Sequence, residues 1–251
     1  MNSEKLIVAA IGLITLGIFS FIAYTSFKTP VLSDLTPEQV IGSEPHTLGA
    51  NVNEAKLVLV EFSDYECPYC AQIAPVLENL VASTPEIALV YRHFPIPGHR
   101  YAQIAARASE AAANQGKFWE MSAELFKISP DLTEENIKII AKDLGLNEEQ
   151  FSNDLSSQET TDKVIEDSNM AKTLNLNGTP SFYVVQGGKY EKLDISSTNS
   201  VEEEVRRRLG QQEAQYQPET APEALPGTGL ELAPDSELDT QPEIESVPVT
   251  Q

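Results

Sequence analysis

Hydrophobic positions along this chain change their spacing from region to region, and each spacing predicts a different element. Leu57-Val58-Leu59-Val60-Glu61-Phe62 is a continuous apolar run interrupted once by a carboxylate, the pattern of a strand covered on both faces. Ile87 to Tyr91 is a second such run. Phe182 to Val185, then Gln186-Gly187-Gly188 and a short strand around Tyr190, read as a hairpin. Between these runs the period becomes helical. Pro68 to Val81 predicts a helix after the first strand, and Tyr101, Ile104, Ala105, Ala108 and Ala112 keep one face through an alanine-rich stretch. Phe118 to Phe126 is another helix candidate. Ile137, Ile140, Ala141 and Leu144 recur at helical spacing and stop at Gly145, where a glycine suits a helix end. Asn147 followed by Gln150 resembles a capping box. Val164, Ala171 and Leu174 mark a longer helix, and Val201, Val205 and Leu209 close the unit. A βαβ unit and a ββα unit separated by a helical insert make an α/β arrangement with a mixed sheet. The domain is expected over 56–210, with the insert at about 99–157.

The flanks read differently. Leu6 to Tyr24 is an uncharged apolar run preceded by Lys5, about the length that spans hydrocarbon as a helix. It predicts a membrane anchor over 1–27. A cleaved signal peptide is the alternative, with Ala23 and Thr25 as weak small-residue positions for cleavage. Either way the remainder is exported, to the cell surface or a periplasm. Residues 28–55 contain Pro30, Pro37 and Pro45 among Ser, Asn and Gly, and are expected to be a spacer. Residues 211–251 hold six prolines, nine acids and no Lys or Arg, a composition that cannot bury enough surface to offset ordering. A disordered acidic tail is expected there.

Composition narrows the function. Hydrophobic residues make up 41% of the 251, enough for a core. The formal net charge is −21, and excluding the tail still leaves 29 acids against 17 bases in residues 1–210. So acidic a chain is repelled by phosphate backbones, which argues against nucleic-acid binding. The two cysteines sit in one Cys67-Pro68-Tyr69-Cys70 tetrapeptide. That excludes a disulfide scaffold and leaves a single reactive pair.

At the exit of the first strand and the opening of the first helix, Cys67 meets unpaired N–H groups and the positive end of the helix. Its thiolate is favoured and becomes a nucleophile at neutral pH. Pro68 suits the first helical turn, where its missing N–H costs nothing. Cys70 lies one turn on, near enough to close a disulfide and pass two electrons through a mixed disulfide. No cofactor is needed beyond that redox-active disulfide. Glu61, a carboxylate in a buried run six residues before Cys67, is a candidate acceptor for the Cys70 proton; a strand-end Glu reaching water or a Lys is the alternative. Thr179-Pro180 precedes the third strand and is a candidate cis bond that lets the Thr179 backbone pair with an extended substrate.

Four segments in order carry a family resemblance. They are Val60 to Cys70; Arg92-His93-Phe94-Pro95; the alanine-rich helix followed by Lys117-Phe118-Trp119; and Gly178-Thr179-Pro180-Ser181-Phe182. Together they resemble the DsbA-like branch of the thioredoxin superfamily over roughly residues 48–209. The resemblance implies a thioredoxin fold with an inserted helical subdomain. It also implies an attacking Cys67, a resolving Cys70, a cis-proline at Pro180 and a buried acid at Glu61, with Pro68 and Tyr69 beside the substrate. It further implies oxidation of newly exported protein thiols and reoxidation by a quinone-linked membrane partner. One departure is Tyr69, where the best-known oxidases of the family carry His. A tyrosine supplies no cation between the sulfurs, so reductase and isomerase readings stay open.

Two rivals remain. Cys67 and Cys70 with His93 and His99 make up the ligand count of a zinc site, but the cysteines open a helix beside a βαβ pattern and no second Cys pair exists, so no metal is expected. His46, in the expected spacer, carries no signal. An exported binding or chaperone module could keep the fold with a structural disulfide, which would resist reduction by glutathione where a catalytic one would not.

Overall fold

The computed structural model describes residues 35–195 and 198–215, together with positions 13, 15, 17 and 20 of the N-terminal apolar run, which are helical. The expected anchor otherwise lies outside the described residues, as does the tail from residue 216. Among the described residues no helix is long and apolar enough to cross a membrane.

The elements are α1 (Pro37–Ile41), β1 (His46–Gly49), β2 (Leu57–Ser63), α2 (Pro68–Ser83), β3 (Ile87–His93), α3 (Ala102–Ala113), α4 (Phe118–Ile128), α5 (Glu134–Asp143), α6 (Glu148–Leu155), α7 (Gln158–Thr173), β4 (Ser181–Gln186), β5 (Lys189–Leu193) and α8 (Thr198–Gln215). The sheet runs β1-β3-β2-β4-β5. β2 and β3 are parallel, joined through α2, and the other pairings are antiparallel. This is the expected mixed α/β sheet of a thioredoxin fold, with helices inserted between β3 and β4.

Three differences from the sequence reading have physical causes. The expected spacer at 28–55 holds α1 and β1. α1 is only five residues, started by a reciprocal cap in which Thr36 N–H donates to Gln39 Oε1 (2.9 Å) and Gln39 N–H to Thr36 Oγ1 (3.4 Å). β1 is a four-residue edge strand, half-buried. Neither is long enough to show a hydrophobic period. The helical insert runs on to Thr173, because α7 buries Ala171 beneath the sheet. At the other end α8 continues past 210 to Gln215.

Both sheet faces are covered, which explains the unbroken apolar runs of β2 and β3. Leu57 and Leu59, Ile87 and Leu89, and Phe182 and Val184 face α2 and α8, where Ile73, Leu77, Leu80, Val201 and Val205 meet them. Val58, Val60 and Phe62 pack from the opposite face with Val90, Tyr183, Val40 and Leu174. The buried Arg92 joins three elements there. It pairs with Asp167 of α7, and its Nη1 donates to the carbonyls of Gln39 (3.2 Å) and Val40 (3.1 Å) at the end of α1. A third core, built on Phe118, Met121, Leu125, Ile137 and Phe151, holds the insert together and reaches the sheet through Tyr65 and Tyr91. The β4–β5 turn places Gly187 and Gly188 at φ of 58° and 71°, the left-handed pair a two-residue hairpin demands.

Candidate active site

β2 carries the site up to the helix that follows it. Alternation along a strand puts Leu57, Leu59, Glu61 and Ser63 on one face, the face that α2 covers. The first two meet apolar partners. Glu61 and Ser63 lie at the top of the strand, where the chain turns into the Cys67 segment. Cys67 is the N-cap residue of α2, in extended conformation, with Pro68 at the first helical position. Where α5, α6 and α7 are each opened by a Thr, Asn or Ser side chain, α2 has no side-chain cap. Its free amides are left to the sulfur.

The structure brings five of the residues singled out in the sequence together. Cys67 and Cys70 are both free thiols, Cys67 5% exposed and Cys70 fully buried. Thr179-Pro180 is a cis bond, and the Cys67 thiol lies 3.3 Å from the Thr179 carbonyl, to which it donates. Glu61 is buried below the pair and accepts from Ser63 Oγ at 2.8 Å. Tyr69 stands apart, 68% exposed at the rim.

The electrostatics of the two sulfurs diverge. A hydrogen bond from the Cys70 thiol pulls the Cys67 thiol down to about 5, against burial, with the Thr179 side chain and the amides of Cys70 and Tyr69 adding to it. Cys70 is pushed far up by burial, by its hydrogen bond to Cys67 and by the charge of Glu61. Burial also lifts Glu61 to about 7; Ser63 opposes this and the charge of Cys67 reinforces it. One sulfur is a thiolate at neutral pH, the other a thiol, and an acid titrating near neutrality sits beside them. This is an arrangement able to exchange a disulfide and move the accompanying proton.

Two contributors were missed in the sequence. Ser63 fixes the Glu61 carboxyl, and its signal is its place two residues on along the same strand face. Asp64, fully buried, holds the Cys67 approach: its carboxylate accepts from Glu66 N–H (2.8 Å), Ile96 N–H (2.7 Å) and His99 Nδ1 (2.7 Å), while its carbonyl accepts from Cys67 N–H (3.1 Å). The zinc set of Cys67, Cys70, His93 and His99 is not assembled, since His99 is held by Asp64 and His93 Nε2 donates to Glu110 (2.9 Å).

Comparison with known proteins agrees with this geometry. The profile of the DSBA-like thioredoxin domain matches residues 58–206, from β2 into α8. The chain belongs to the DSBA-like thioredoxin family. Among solved structures it is similar to a thioredoxin-like oxidoreductase from Silicibacter pomeroyi, at 30% identity and a TM-score of 0.61, over 70% of this chain and 99% of that one. It shares its fold with the thiol-disulfide exchange protein alpha-DsbA2 from Wolbachia pipientis, at 20% identity and a TM-score of 0.57, over 68% and 90%. A curated relative is the Na(+)/H(+) antiporter NhaA 3 of Salinispora tropica, 36% identical over 132 residues. That match takes in 52% of this DSBA-like chain but only 20% of the antiporter. The chain thus spans about a fifth of that relative's length.

Proposed function

We propose that this protein is an extracytoplasmic thiol–disulfide oxidoreductase that works as an oxidase, introducing disulfides into exported proteins through Cys67 and Cys70. The observation that carries the reading is the split between the sulfurs: Cys67 drawn down to about 5 at the uncapped start of α2, and Cys70 buried and held protonated behind it. A stable Cys67 thiolate is a good leaving group and stabilises the reduced enzyme, which makes the disulfide form oxidising. The Silicibacter relative, described as an oxidoreductase, supports the chemistry.

The reaction balances as follows. A client thiolate attacks Cys67 Sγ of the oxidised enzyme, breaking the Cys67–Cys70 bond. Cys70 leaves as a thiolate and takes a proton from protonated Glu61. A second client thiolate then attacks the client sulfur of the mixed disulfide, and Cys67 departs as its stabilised thiolate. The client loses two electrons to the Cys67–Cys70 disulfide, which becomes the dithiol. Return to the disulfide needs an external oxidant, for which a quinone-linked membrane partner fits an enzyme held at the membrane by residues 6–24. During exchange the Thr179 backbone and the faces of Pro68, Tyr69 and Pro180 border the client strand.

Reduction potential, together with oxidation of a reduced, unfolded client, tests this. The expected potential lies well above the roughly −270 mV of thioredoxin. A value at or below that figure, with efficient insulin reduction, would establish the reductase reading instead. A disulfide that glutathione does not reduce would favour the binding module.

A further inference from the structure

Away from the cysteines, β1, β3 and α3 aim three ligating side chains at one point. His46 Nε2 donates to Glu110 Oε1 at 2.7 Å, and His93 Nε2 donates to the same oxygen at 2.9 Å. The two ring nitrogens and the carboxylate oxygen all lie within 4.8 Å of one another. His93 and Glu110 are 1% and 2% exposed, while His46 is only partly covered and opens onto a small cleft lined also by Glu44, Lys163 and Glu166.

We propose that His46, His93 and Glu110 form a zinc-binding site. Three features favour a cation over a self-sufficient hydrogen-bond cluster. First, the carboxylate is used one-sidedly: both imidazoles converge on Oε1, while the buried Oε2 has no hydrogen-bond partner among the described residues. The ammonium of Lys163 stands off at 3.9 Å from it. Second, the donor set is two imidazole nitrogens and one carboxylate oxygen, which suits zinc and does not suit magnesium or calcium, whose shells are oxygen. Third, the geometry needs little adjustment. Zinc bonds of about 2.0–2.2 Å at tetrahedral angles hold ligands a little over 3 Å apart, a small opening of the two N···O contacts of 2.7 and 2.9 Å, and the cleft beside His46 leaves the fourth position open to a water. His46 is held in place by stacking on Phe118, ring centroids 3.6 Å apart at 9°. Zinc there would tie the edge strand β1 to β3 and to the helical insert.

Zinc binding to the full-length protein with Cys67–Cys70 in the disulfide form tests the site, since no thiolate then competes for the metal. Wild type is dialysed against zinc chloride, desalted and analysed for metal, and is titrated separately with cobalt to read the visible band of a tetrahedral nitrogen-containing site. The expected result is one zinc per chain. Affinity should fall at least about tenfold in His46→Ala and likewise in His46→Phe, which keeps the ring stacked and removes the nitrogen. Lys163→Met, which removes the competing cation, should bind more tightly. Circular dichroism identifies variants that retain the fold. Wild type that carries no zinc overturns the proposal, as does binding left undiminished in both folded His46 variants.

Discussion

Glu61 and Glu110 are the same residue type, each 2% exposed, yet their carboxyls are displaced in opposite directions. Glu61 is raised to about 7; Glu110 is held well below the usual carboxylate range. Burial opposes ionisation at both. What differs is the company. Glu61 has one hydroxyl donor, Ser63, and a neighbouring thiolate of its own sign. Glu110 takes hydrogen bonds from His46 and His93 and has their charge nearby. Burial sets the cost of a charge, and the neighbours decide whether it is met. One acid is thereby poised to give and take a proton near neutral pH, and the other is fixed as a permanent anion.

Substitutions can break this contrast or sharpen it. The largest effect is expected from Cys67→Ser, which removes the attacked sulfur: oxidation of a reduced client should fall to the uncatalysed rate. Glu110→Ala should leave the buried His93 and the half-buried His46 without their shared acceptor and cost about 3 kcal/mol, read by urea unfolding of the oxidised protein. At pH 8.5 the corresponding change at the other acid should have the opposite sign, Glu61→Gln stabilising the reduced protein by about 1–3 kcal/mol.

The sign follows from proton counting. Folded Glu61 keeps a proton to about 7, whereas the unfolded chain releases it near 4.5. Stability therefore declines as pH rises through that window, and the decline should vanish in the Gln variant. Cys67 acts oppositely in the reduced protein: its thiol, ordinarily at 9.0, ionises at about 5 when folded, so the reduced form gains stability between these values. Unfolding free energies of the two redox forms against pH should diverge over that range: in the reduced form the Cys67 gain offsets the Glu61 loss up to about 7, and stability rises above it. Ser63→Ala removes a hydrogen bond worth about 1 kcal/mol to the Glu61 carboxylate. It should move the proton-transfer step, followed by stopped-flow mixed-disulfide breakdown, to higher pH. The smallest effect belongs to Tyr69→His, because the position is exposed and a cation there is screened. The pH midpoint of Cys67 alkylation should drop by less than about one pH unit.

The strands and helices over 57–209 were legible because β2, β3 and the insert helices each repeat an apolar spacing long enough to read. α1 and β1 were not, being five and four residues long, with tertiary pairing to β3 rather than local pattern making the strand. Cys67, Cys70, Glu61 and Pro180 stood out because each breaks its surroundings: a paired thiol, a charge in an apolar run, an X-Pro before a strand. Asp64 was silent because, beyond the local Glu66 N–H, its carboxylate binds Ile96 N–H and His99 Nδ1, 32 and 35 positions on, which no local spacing reveals. His46 was silent for the same reason. Its partners His93 and Glu110 lie 47 and 64 positions on, and only the fold brings them together.

Because Leu35 is already packed in the core and α1 opens at Pro37, what looked like a long flexible stretch before the domain is largely part of it. If residues 6–24 lie in a bilayer, as proposed, the ten residues 25–34 could separate the domain from it by at most roughly 35 Å. The catalytic face would then patrol a thin shell above the lipid, meeting chains as they emerge and hardly any that have drifted away.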